Sequence, residues 1–293
     1  MSTERVGETA DGTDTGAGNS YLGDLWVNYK RWNLKAIRNP FIITGTLLQP
    51  VIFFVLFTQV FGGIATNAIG GGAGGGISYE TYLVPAIAVQ VSLAAAASSG
   101  IGLVNDIENG MFNKVLVTPM SRSAVFLGKS LAEITRIVVQ IGIILVLGWL
   151  LGASYQTGIF GLLGIIVVGI VFSLWFTAFS NVVALITRDQ ESTIIGANIL
   201  QFPMLFVSSA FLPLERLPGW IQTVATFNPV TYGVDAARSF TLGRDTMTVI
   251  DVHAFGGIWN AVVPAVVILL VLDLVLGGVA VYMLNRAASA AVE

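Results

Sequence analysis

No cysteine occurs in the chain, which excludes disulfides, thiolate nucleophiles and zinc–thiolate sites. The single histidine, His253, rules out a multi-histidine metal site. Charge is scarce too: 11% of residues are Asp, Glu, Lys or Arg, against roughly 25% in a soluble domain. There is no basic excess, since the formal net charge is -3 and the isoelectric point is near 5.2, so no nucleic-acid partner is expected. What is present is apolar. Hydrophobic residues make up 55% of the chain and the mean hydropathy is +0.81. That is more apolar surface than a fold of 293 residues can place inside. The surplus must face lipid.

Charge-free runs locate the spans of an all-α polytopic membrane protein. Phe41 to Phe61 and Thr81 to Asn105 are each long enough to cross a bilayer. Ile137 to Thr187 is about twice the required length and breaks at Gly152–Gly158, giving two helices and a short turn. Thr193 to Pro213 is a fifth span, which Pro203 is placed to bend. Ile258 to Leu284 is a sixth, interrupted by Asp273. Of 14 lysines and arginines, only Arg216, Arg238 and Arg244 fall on the far side of this arrangement. Both termini are therefore expected to be cytoplasmic. Few lysines and an acidic start suit a prokaryotic plasma membrane.

The segments outside the spans complete the organisation. Residues 1–20 read as a disordered acidic tail, with Glu4, Glu8, Asp11 and Asp14 among Gly, Thr and Ser. Residues 21–39 read as an amphipathic interfacial helix: Leu22, Leu25, Trp26, Tyr29 and Ile37 recur at helical spacing among Lys30, Arg31, Lys35 and Arg38. It serves either as an anchor on membrane lipid or as a docking element. Residues 40–287 form the six-helix domain, and 288–293 a C-terminal tail. Within the domain, 214–241 is expected to hold two short re-entrant helices before the last span. Pro218 opens one, and Asn228 caps the other with Pro229 at its first position.

Several motifs suggest chemistry they do not carry. Gly128-Lys129-Ser130 resembles the end of a phosphate-binding loop, but Ser123 stands where that motif needs glycine. A helix end with Lys129 near lipid phosphates is the plainer reading. The run Gly70–Gly76 reads as a flexible linker. Lys129, Glu133 and Arg136 share a helix face and should form an ion network at the cytoplasmic end. Asp273 lies near the middle of the last span, where a carboxylate is costly. It is either a substrate or proton site, or a packing partner of Gln140, Asn181 or Asn198. The small-residue run Ala94–Gly102 permits close helix approach, at a dimer seam or internally.

Three groups of residues carry a family resemblance. Arg38-Asn39-Pro40 with Gln49-Pro50-Val51-Ile52-Phe53 opens the first span. Glu108-Asn109-Gly110, Leu116 to Arg122 and Gly128-Lys129 follow the second. Phe211-Leu212-Pro213, Leu217-Pro218-Gly219-Trp220 and Asn228 to Gly233 with Arg238 precede the last. In this order they resemble the ABC-2 type permease family, the daunorubicin-resistance-like exporter subunits. The likeness covers Arg38 to about Arg286. At Gly110-Met111-Phe112-Asn113 the chain departs from the family's Gly-Thr-acidic pattern.

The resemblance implies a transport subunit rather than an enzyme, holding no cofactor of its own. ATP and Mg would be bound by a separate ABC ATPase subunit, and a second permease subunit, identical or different, would complete a dimer. Loop 105–122 would couple to the ATPase through Glu108, Asn109, Met111, Phe112, Asn113 and Lys114. Trp220, Phe227, Asn228, Pro229 and Tyr232 would form an external gate. The expected substrate is hydrophobic or amphipathic, a drug-like compound or lipid. Export of a polysaccharide or glycolipid is the alternative within the superfamily, and it would favour wide aromatic belts that the sequence does not display. A proton-coupled transporter using Asp273 is the remaining rival.

Overall fold

The computed structural model describes residues 21–38, 40–70, 76–110 and 122–290. The acidic tail, most of the glycine run and Met111, Phe112, Asn113 and Lys114 lie outside the described residues. Nine α-helices and no strand occur among the described residues. They are α1 (Tyr21–Arg38), α2 (Pro40–Gly70), α3 (Tyr79–Glu108), α4 (Arg122–Leu150), α5 (Gly158–Thr187), α6 (Gln190–Phe206), α7 (Gly219–Ala225), α8 (Pro229–Leu242) and α9 (Trp259–Ala290). Five of these, α2, α3, α4, α5 and α9, are long and apolar enough to cross a membrane. The chain is a polytopic helical membrane protein.

The run Thr193–Pro213 folds differently from a simple span. Its helix, α6, has 17 residues, about 26 Å at 1.5 Å per residue, short of a roughly 30 Å hydrocarbon core. Pro203 removes one helical donor, and α6 ends at Phe206, three residues later. From Val207 to Pro213 the backbone is not helical.

Helix α3 is the axis of the bundle. In its most apolar window 72% of residues are buried, against 17% in α2 and in α9, which therefore line the outside. The most extensive helix pair is α3 with α5. Its seam closes at Gly100, where a Cβ would stand 2.4 Å from the carbonyl oxygen of Ser180. Ser180 in turn donates to Ala97 O at 2.7 Å and accepts from Gly100 N at 3.2 Å. The small-residue run of α3 thus packs internally. The turn Gly152–Gly158 forms where expected, with both of its glycines at positive φ.

Helix α1 packs on α4 with its polar side inward. Asp24 and Asn28 are buried, whereas Leu22, Trp26 and Ile37 are 71%, 60% and 70% exposed. Short side chains permit this approach: a Cβ at Gly128 would lie 2.8 Å from Asn28 Cβ and from Leu25 O. Gly128-Lys129-Ser130 therefore sits inside α4 as a packing surface and forms no phosphate loop.

Candidate functional site

The two ends of the bundle differ. At one end lie the break after α6, the pair α7 and α8, and the turn before α5. Asn228 caps α8 as expected, accepting from Val230 N at 3.0 Å, with Pro229 opening the helix. The surprise is burial: every residue of α8 from Val230 to Leu242 is buried, enclosed by α3, α5 and α9. An element of 14 residues cannot span, yet it is packed like a core helix.

That burial raises a hydrogen-bonding problem, because the segment 207–213 is largely buried and has carbonyls with no helical partner. Side chains supply the donors. Arg238 Nη2 donates to Ser209 O at 2.9 Å and Ala210 O at 3.3 Å. Tyr82 donates to Ser209 O at 3.2 Å and Tyr79 to Phe211 O at 3.2 Å. Asn228 Nδ2 donates to Met204 O at 2.6 Å and to Val207 O at 2.5 Å.

Arg238 is itself balanced by Asp235, one helical turn earlier, at 3.4 Å. The carboxylate also accepts from Ser209 Oγ at 2.7 Å, Thr248 N at 2.9 Å and Thr248 Oγ1 at 2.6 Å. The guanidinium carbon lies 3.7 Å from the centroid of the Tyr82 ring. Sequence reasoning placed Arg238 in an outer loop; the signal for its role was Asp235 three residues before it in an apolar helix.

The proposed gate residues divide. Asn228 and Tyr232 are buried, and Tyr232 donates to Thr226 O at 2.6 Å. Both hold the α7–α8 corner. Trp220 and Phe227 are 65% and 84% exposed and free to meet another surface. Beside them the chain forms an aromatic patch not anticipated from sequence. Phe53, Phe57 and Phe61 follow one another at i, i+4 spacing on α2, and Phe206 and Phe211 join them from the α6 break. Phe57 and Phe211 stack at 4.6 Å. The spacing was legible; the fold supplied the last two rings.

The opposite end carries the connection between α3 and α4. Residues 105–108, expected in the coupling loop, are the last turn of α3. Glu108 accepts from Gln190 Nε2 at 2.7 Å, tying α3 to the start of α6, and Asn109 is the C-cap of α3. The N-cap of α6 is Asp189, whose carboxylate accepts from Ser192 N at 2.8 Å; that bond holds its pKa below the ordinary carboxylate value. The ion network forms with a different partition. Lys129 stands between Asp106 at 3.8 Å and Glu133 at 4.0 Å. Glu133 turns inward to accept from Ser99, and Arg136 donates to Ala95 O and Ser98 Oγ instead of joining the chain of charges.

Asp273 does not pair with Gln140, Asn181 or Asn198. Gln140 donates to Thr46, and Asn181 accepts from Ser99. Both Asp273 carboxylate oxygens are buried and receive no side-chain hydrogen bond among the described residues; the nearest donor is the backbone of Trp175. No group of three metal-ligating side chains occurs among the described residues either.

A bundle of helices long enough to span, with a short buried helix at one end and an aromatic cluster of which Phe61 and Phe206 are exposed, defines a polytopic membrane protein. The family follows from comparison. The ABC-2 type transporter family model matches residues 23–242, and the chain belongs to that family. It is 28% identical over 224 residues to the daunorubicin resistance ABC transporter permease protein DrrB1 of Streptomyces coeruleorubidus, covering 75% of this chain and 72% of that one. With the probable doxorubicin resistance ABC transporter permease protein DrrC of Mycobacterium tuberculosis, strain H37Rv, it shares 27% identity over 231 residues, 78% of this chain and 80% of the relative. The probable multidrug ABC transporter permease YbhR of Escherichia coli K12 is 22% identical over 195 residues, 66% and 50% of the two chains.

Proposed function

We propose that this chain is one half of a dimeric exporter permease that moves a hydrophobic or amphipathic compound outward, driven by ATP and Mg bound in separate ATPase subunits. The observation that carries this reading is the sorting of charge along the bundle. Arg31, Lys35, Lys129 and Arg188 lie at the end where α3 connects to α4, and Arg216 and Arg244 lie at the end with α7 and α8. By the positive-inside rule the first end is cytoplasmic. The α3–α4 connection then faces the compartment that holds ATP. Met111 and Phe112 supply apolar anchors there, with Glu108 and Lys114 as charged contacts. At the outer end Trp220 and Phe227 are the exposed members of the gate. Asn228, Pro229 and Tyr232 shape the corner that presents them.

The aromatic patch bears on substrate class. The lack of an aromatic belt in the sequence speaks against glycan export, and the five phenylalanines weaken that objection. Yet phenylalanine offers no partner for a sugar hydroxyl, and a desolvated hydroxyl without a hydrogen bond is costly. The patch therefore suits a flat apolar molecule better than a polysaccharide. The names of the relatives, which specify daunorubicin and doxorubicin resistance, agree with that choice. The carboxylate of Asp273, which has no side-chain partner among the described residues, favours one competing reading, proton-coupled transport.

The test is affinity purification of the tagged chain from native membranes in mild detergent. A stoichiometric P-loop ATPase is expected to co-elute, and Met111→Asp with Phe112→Asp should abolish its retention. Retained binding in that variant would sink the coupling assignment. A chain that elutes as a stable oligomer with no ATPase would leave Asp273 as the coupling site.

A further inference from the structure

A cavity of about 250 Å³ lies between α1 and the end of α3, lined by Arg31, Trp32, Lys35, Asp106 and Asn109. Two cations line it, and a third, Lys129, shares the Trp32 ring with them. Around the centroid of the Trp32 ring, Lys35 Nζ stands at 4.7 Å, Lys129 Nζ at 5.3 Å and Arg31 Cζ at 5.9 Å. Lys129 is already shared between Asp106 and Glu133. Arg31 and Lys35 form no ion pair among the described residues. Among the lining residues Asp106 is the only carboxylate and Arg31 and Lys35 are the cations, so one positive charge is left over. One indole face attracts cations weakly compared with an anion. The cluster lacks a monoanion.

Size and depth narrow what that anion is. The cavity is smaller than the roughly 300–1,000 Å³ of a drug-sized pocket, so it fits a headgroup or a single phosphate. Its wall is α1, whose outward residues Leu22, Trp26 and Ile37 are mostly exposed. A helix that buries Asp24 and Asn28 and turns those apolar residues outward lies at the boundary of headgroups and acyl chains. At that depth phosphodiesters are the abundant anions. Arginine offers them a planar fork of donors, and lysine a point charge.

We propose that this cavity binds the phosphodiester headgroup of one anionic phospholipid per chain. The bound headgroup braces α1 against the end of α3, next to the segment 111–121 that leads to α4. This differs from diffuse attraction of a basic helix to a charged leaflet: it predicts a stoichiometric lipid and dependence on particular side chains. Arg31 and Lys35 are exposed, so replacing them leaves the helix packing in place.

The experiment is native mass spectrometry of the detergent-solubilised full chain titrated with phosphatidylglycerol, with phosphatidylcholine as the uncharged comparison. Wild type should retain one phosphatidylglycerol per chain in preference to phosphatidylcholine. The double variant Arg31→Ala/Lys35→Ala should bind it at least about tenfold more weakly, at roughly 1 kcal/mol for each basic residue near a charged surface. The charge-conserving Arg31→Lys/Lys35→Arg and the exposed control Lys30→Ala, which lies outside the cavity, should keep it. The proposal is overturned by equal retention in the double variant, by equal binding of phosphatidylcholine, or by equal loss in Lys30→Ala. Displacement of the lipid by millimolar inorganic phosphate would assign the cavity to a free anion. Its loss when the chain is isolated with an ATPase would assign it to a protein contact.

Discussion

Replacing Arg238 with methionine keeps much of the side-chain volume and removes the cation from a site where nothing else can substitute. The Asp235 carboxylate, wholly buried, would then face its hydrogen-bond donors without a compensating charge. Breaking a buried ion pair by deleting one partner costs about 3–5 kcal/mol. The carbonyl of Ala210 loses its donor at the same time, while Ser209 keeps that of Tyr82, and a buried unsatisfied group costs about 1–3 kcal/mol unless water reaches it. The upper end of the first range is therefore expected. For a chain of this size that corresponds to a fall of roughly 10 °C in apparent melting temperature. Because unfolding in detergent is commonly irreversible, the assay is the temperature at which half the protein leaves the monodisperse size-exclusion peak after a fixed heating time. The double variant Asp235→Asn/Arg238→Met leaves no orphan charge and should recover at least half of the loss. If Arg238→Met melts within about 2 °C of wild type, or if the double variant is no better than the single one, the ion pair does not hold the re-entrant corner.

The seam between α3 and α5 makes a contrast available within one helix. Gly100→Ala should lower the melting temperature, since its Cβ would meet Ser180 backbone at 2.4 Å, whereas Gly102→Ala, whose nearest neighbour is Lys129 Nζ at 3.7 Å, should be tolerated; equal behaviour would refute the seam. Orientation can be read with a membrane-impermeant maleimide on intact cells, because the chain has no cysteine of its own. Glu215→Cys should label and Lys30→Cys should not, and the opposite pattern would invert the proposed topology.

The spanning helices were legible because a bilayer core demands about twenty residues without charge, and a helix in water seldom goes that far without one. The α8 cap was legible because Asn228-Pro229 is a local signal that needs no tertiary context. Two other features lay beyond that kind of reading. The shortness of α6 depends on what happens after Pro203, and a proline inside a span is compatible with either a bend or a stop. The inverted packing of α1 depends on a glycine about one hundred residues away: Asn28 faces inward where Gly128 leaves room for it. Helical spacing alone assigns the apolar face to the protein or to the membrane with equal ease.

The polar residues at membrane depth show why function is harder to read here than fold. A charged residue inside a span is ordinarily taken as a mark of function, and that rule pointed to Asp273. Arg238 and Asp235 are buried more completely than Asp273, yet their bonds are accounted for by a structural need. The chain stops being helical at Val207, and every carbonyl exposed by that break requires a donor. Ser209, Ala210, Phe211, Met204 and Val207 receive theirs from Arg238, Tyr82, Tyr79 and Asn228. A polar group whose hydrogen bonds are complete holds the fold. One left incomplete is the better candidate for binding something else. By that criterion the ends of this bundle separate: the carbonyls freed by the break after α6 have their donors, while the cluster around Trp32 still carries an uncompensated positive charge.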